Sequence, residues 1–141
     1  MSMYQNIMVP IDLQHADKME KALQTAADLA VHYGAALHYV AVSGKVPNRV
    51  APTPEAFAHE LENYAAEQAR RFGITTHAKA ISSVDVTIEL DDKLLEASRD
   101  IGADLIVMAS HIPGVADRLH LVGSNAAYIV RHADIAVFVV K

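Results

Sequence analysis

The chain has 141 residues, 52% of them hydrophobic, and no cysteine, so a core can form without disulfides and neither a thiolate metal site nor a Cys nucleophile is available. A formal net charge of -5, with no Lys/Arg run longer than Arg70-Arg71, excludes the basic stripe that a nucleic-acid surface needs. The first residues lack a positive segment leading a long apolar run, and no apolar stretch approaches a bilayer span, so a cytoplasmic protein with no membrane partner is expected.

The first strand is read at residues 6–11 (NIMVPI), a nearly continuous apolar run. A helix follows at 17–33, with Met19, Leu23, Ala26, Ala27, Ala30 and Val31 spaced to share one face. Gly34 ends it, because glycine tolerates the left-handed conformation of a helix C-terminus. The second strand is 36–42 (ALHYVAV). Residues 43–54 form a Pro-rich stretch that reads as a mobile loop. Thr53 is a good N-cap, and Pro54 sits at the first helical position of a helix over 54–72.

Gly73 closes that helix, and a weaker strand follows at 75–81. Residues 82–92 alternate at Val84, Val86 and Ile88, which predicts an extension of the third strand or an extra edge segment. A third helix is expected at 91–101, closed by Gly102, then a strand at 104–110 (DLIVMAS). A polar loop containing Gly and Pro leads to a helix at 124–132 and a last strand at 135–141 (IAVFVVK). Strands alternating with helices predict a mostly parallel sheet with right-handed crossovers and helices on both faces, in one domain spanning 1–141.

In such a sheet a ligand binds beyond the carboxyl ends of the strands, where the strand order reverses. With an order of 3-2-1-4-5, that point lies between the first and fourth strands, where Asp12, Ala41-Val42 and the 109–125 loop converge. Each feature has two readings. Gly123, Ser124 and Asn125 form either an ordinary N-cap or a phosphate cradle built from the same free N–H groups. Asp12 either caps a turn or accepts a hydrogen bond from a ribose hydroxyl. The eight histidines show no metal-ligand spacing. The chain has no GxSxG, no GxxxxGK[ST] and no GxGxxG after the first strand, so no catalytic constellation is evident.

The stretches NIMVPID, DLIVMASH, GSNAAYIVRHA and AVFVVK resemble the universal stress protein family over the whole chain, closest to its small single-domain bacterial members. The resemblance implies an open five-stranded parallel sheet in the order 3-2-1-4-5, Rossmann-like and similar to adenine nucleotide alpha hydrolases. It also implies a homodimer paired through residues 135–141. Many members bind ATP through the pattern G-x2-G-x9-G-[ST]. Carried over here, Ala109 and Ile112 stand at the two early glycines and Gly123-Ser124 at the closing pair, with one residue more between them. Gly114 lies two residues past Ile112.

The nucleotide-binding residues implied are Pro10, Ile11, Asp12, Ala41, Val42, Met108, Ala109, Ser110, His111, Gly114, Gly123, Ser124 and Asn125. The expected ligand is ATP or AMP, with or without Mg²⁺, held by a regulatory binding module without dedicated catalysis. Slow ATP hydrolysis or self-phosphorylation stays open. The alternative is an interaction module of the same fold that holds no nucleotide, with Ile112 filling the phosphate side.

Overall fold

The computed structural model describes residues 2–44, 51–110 and 126–141. Five strands, β1 (Asn6–Pro10), β2 (Ala36–Ser43), β3 (Thr76–Ser82), β4 (Leu105–Ala109) and β5 (Ala136–Val140), form one parallel sheet in the order β3-β2-β1-β4-β5. All five residues of β4 are buried, as are all of β1 beyond Asn6. That is the signature of central strands covered on both faces, and it explains why these runs read as continuously apolar.

Among the described residues, four α-helices connect the strands: α1 (Glu20–Tyr33), α2 (Pro54–Phe72), α3 (Val86–Asp100) and α4 (Ala126–His132). The buried face of α1 is Ala22, Ala26, Ala27 and Ala30, which lets its backbone lie close against β1 and β4. α2 packs on β3 and β2, where Tyr64 meets Tyr39 edge-on with ring centroids 5.2 Å apart. α3 and α4 pack against each other across the sheet from α1 and α2, as right-handed crossovers require of this strand order. Tyr128 of α4 donates to Asp92 Oδ1 of α3 at 3.1 Å.

The punctuation expected of α1 and α2 is present. Gly34 and Gly73 adopt φ of 66° and 67° at the two helix ends, and the Thr53 hydroxyl accepts from Ala56 N at 3.1 Å. The expected helix at 17–33 starts as α1 only at Glu20. A 3-10 segment over Leu13–Met19, kinked at His15, precedes it.

The strand expected at 82–92 is a correction. β3 stops at Ser82, and α3 begins at Val86, five residues before the expected start. Glu89 decides this. Its Oε1 accepts from Val84 N at 3.1 Å and Asp85 N at 3.3 Å, and Ser83 Oγ also donates to it. The carboxylate thereby satisfies N–H groups ahead of the helix, as capping side chains do. The alternation at Val84 and Ile88 does not bury anything: they are 82% and 76% exposed.

His38 of β2 stacks on His77 of β3 with centroids 4.7 Å apart, and its Nε2 lies 3.1 Å from Asn6 Oδ1. Burial lowers the His38 pKa, and the neighbouring His77 pushes it the same way. The fold therefore favours neutral His38. Its contribution to stability is complete above the unfolded value of about 6.5 and is lost as pH falls through the folded value. The urea midpoint at pH 5.5 should lie below that at pH 7.5, and His38→Gln should narrow the gap. An unchanged gap in the variant would assign the slope to other groups.

Candidate functional site

The sheet opens at its centre. The β1–β2 ladder continues to Pro10↔Val40, and the β4–β5 ladder to Ala109↔Val140. The β1–β4 ladder ends at Met8↔Ile106. The covalent structure of β1 supplies the reason. Ile11 N donates to Val40 O at 2.8 Å, so Ile11 turns its backbone toward β2. Alternation along the strand turns Asn6, Met8 and Pro10 toward β4, and Asp104 N donates to Asn6 O at 2.9 Å on that side. Proline has no N–H, so the donor that would carry the β1–β4 ladder one step further is missing. The pairing of β1 with β4 thus ends where the strand order reverses, the place at which ligand crevices form in such sheets.

Asp12 stands on the β1 side of that opening. Its Oδ1 accepts from Gln14 N at 3.1 Å, making it the N-cap of the 3-10 segment. Its Oδ2 lies 2.6 Å from His15 Nδ1, and both side chains are 10% exposed. A carboxylate only accepts, so Nδ1 is the donor. The structure shows the capping role expected of Asp12, two residues beyond the end of β1. Each carboxylate oxygen carries two lone pairs, so one acceptor position per oxygen stays available for a ligand donor.

His15, the partner that holds Asp12, is a residue that sequence reasoning did not select. The signal was the i, i+3 spacing of Asp12 and His15 within a turn, which brings side chains together.

Of the expected residues, Pro10, Ile11 and Asp12 lie at the end of β1, Ala41 and Val42 near the end of β2, and Met108, Ala109 and Ser110 at the end of β4. Ile11, Ala41, Met108 and Ala109 are buried, while Asp12, Val42 and Ser110 are partly exposed. His111, Gly114, Gly123, Ser124 and Asn125, together with Ile112, lie outside the described residues. Among the described residues, no group of three or more His, Asp or Glu is placed to hold a metal ion, and no helix is long and apolar enough to cross a membrane.

The family pattern described as "Universal stress protein family" matches residues 3–141. Universal stress protein G of Salmonella typhimurium is 31% identical over 151 residues, covering 99% of this chain and all of that protein. Two solved structures share the fold. A universal stress protein in complex with cAMP has a TM-score of 0.70 at 22% identity, covering 99% of both chains. The universal stress protein from Archaeoglobus fulgidus in complex with dAMP has a TM-score of 0.67 at 21% identity, covering 98% of both chains.

Proposed function

The chain belongs to the universal stress protein family, and from that premise we propose that it binds an adenine nucleotide, AMP or ATP, in the opening between β1 and β4. The end of the β1–β4 pairing short of Pro10 is the observation that carries this reading, because it falls at the topological switch point, two residues from the Asp12 carboxylate. Structural neighbours solved with cAMP and dAMP support it.

In this reading Asp12 accepts a hydrogen bond from the adenosine moiety. Ala41 and Val42 line the base side from β2, and Ala109 and Ser110 approach from β4. The Gly123-Ser124-Asn125 stretch offers N–H and hydroxyl groups to phosphate. The protein acts as a nucleotide-linked regulatory module, and no catalytic step is assigned to it. Calorimetric titration of the full chain with AMP and ATP tests the proposal: saturable binding supports it, and no heat from well-folded protein refutes it.

A second reading, an interaction module of the same fold without nucleotide, is favoured by one observation. Both oxygens of Asp12 already have protein donors, Gln14 N and His15 Nδ1. The same titration separates the two readings.

We further infer that the chain forms a homodimer through β5. Among the described residues this strand pairs only with β4, and its Phe138 is 46% exposed, an edge that otherwise invites uncontrolled association. Light scattering should return twice the chain mass of 15.3 kDa. A monomer at micromolar concentration would refute the pairing.

A further inference from the structure

The turn after β1 is pinned at Asp12 by three contacts. Its N–H donates to Met19 Sδ at 3.5 Å, its Oδ1 accepts from Gln14 N at 3.1 Å, and its Oδ2 accepts from His15 Nδ1 at 2.6 Å. The cap accounts for the first oxygen alone, because satisfying a free N–H at the start of a helical turn takes one acceptor. One such bond holds the plane of the carboxylate loosely, since the last torsion of aspartate has a broad range. A second donor on the other oxygen fixes that plane.

His15 is placed for that purpose. Its backbone leaves the helical region within the 3-10 segment, at φ -130° and ψ 28°, and the residue is only 8% exposed. Among the described residues, Asp12 is the one hydrogen-bond partner of its ring. A buried polar ring costs free energy unless it is bonded, and here the bond goes to a carboxylate that is itself nine-tenths buried. Nδ1 carries the proton in this contact whether the imidazole is neutral or charged, so the donor is always present. Capping alone calls for no such ring.

We propose that His15 is a positioning residue of the nucleotide site: it fixes the orientation in which the Asp12 carboxylate accepts from adenosine, without touching the nucleotide itself. The inference rests on the role proposed for Asp12 above. An acceptor ordered before the ligand arrives binds it more tightly, because the ordering entropy is not lost on binding.

The test is a double-mutant cycle on the full chain, with AMP affinity read by calorimetry and folding by the urea midpoint. His15→Phe keeps a ring and removes the donor, and should weaken AMP about tenfold. His15→Asn puts an amide N–H near the place of Nδ1 and should stay within about threefold of wild type. In the Asp12→Asn background, His15→Phe should change affinity less than about twofold, because the carboxylate it orients is gone. In ¹⁵N-labelled wild type, the imidazole spectrum should show a protonated Nδ1 for His15 whose signal moves as AMP is added.

Wild type that binds no AMP removes the nucleotide reading and this role with it. Wild type that binds AMP, beside a folded His15→Phe that binds it equally well, overturns the positioning role and leaves the nucleotide reading standing. Equal losses from His15→Phe in both backgrounds also overturn it, because they mark a role in folding alone. If His15→Phe does not fold, the other two readouts decide: affinity lost in His15→Asn, or a His15 signal that AMP leaves in place, overturns the proposal.

Discussion

Replacing Asp12 by alanine should weaken AMP binding by roughly one to two orders of magnitude, the equivalent of the ~1.5–3 kcal/mol carried by a hydrogen bond to a charged group. The variant needs a partner to be interpretable, because Asp12 also caps the 3-10 segment and holds His15. Loss of a cap costs about 1 kcal/mol of stability, and a buried imidazole left without its acceptor adds to that. Asp12→Asn separates the two roles. Its amide oxygen can still accept from Gln14 N, and its NH₂ can face His15 once the imidazole presents its unprotonated Nδ1. The turn should therefore survive, while the charge offered to the ligand is gone. Affinity lost in both variants, with the Asn variant close to wild type in urea, assigns Asp12 to the nucleotide. Affinity retained in both removes it from the site.

Ile106→Ala should be the most destabilising of the simple substitutions. Ile106 is 1% exposed at the centre of β4, paired with Met8 on one side and Val137 on the other. Truncating such a side chain removes its burial and leaves a cavity in a layer that helices close from both faces. The expected cost is about 2–5 kcal/mol, a large share of the ~5–15 kcal/mol that holds an ordinary domain folded. At ~3 °C per kcal/mol for a chain near this size, the melting temperature should fall by about 10 °C. Ile88→Ala is the contrast. Ile88 is 76% exposed on α3, so its truncation should stay within about 0.5 kcal/mol. Comparable losses for the two variants, followed by circular dichroism, would contradict the burial on which the fold rests.

The fold was legible because its strongest signals are local. Gly34 and Gly73 mark helix ends through a backbone conformation that other residues avoid, and Thr53-Pro54 marks a helix start through a cap and a missing donor. The unbroken apolar runs of β1 and β4 announce strands covered twice. The start of α3 was not legible, because Val84, Val86 and Ile88 alternate like a strand. What overrides them is Glu89 reaching back to Ser83, Val84 and Asp85, an interaction invisible to periodicity. The same limit applied at the site. Position alone marked Asp12, but the bond from His15 depends on a kink in the 3-10 segment, with His15 at φ -130° and ψ 28°. Pro10 is plain in the sequence. Its consequence for the β1–β4 ladder needed the knowledge of which way its backbone turns. The phosphate end proposed at Gly123 and Ser124 rests on the sequence pattern alone.

The central claim is that the parting of β1 and β4 is the nucleotide's seat. A crystal structure of the full chain grown with AMP tests it most directly. The account predicts difference density for adenosine between the ends of those strands, with a ribose or base donor within hydrogen-bond distance of an Asp12 oxygen. Density absent there at saturating AMP, or found only elsewhere on the molecule, would contradict it.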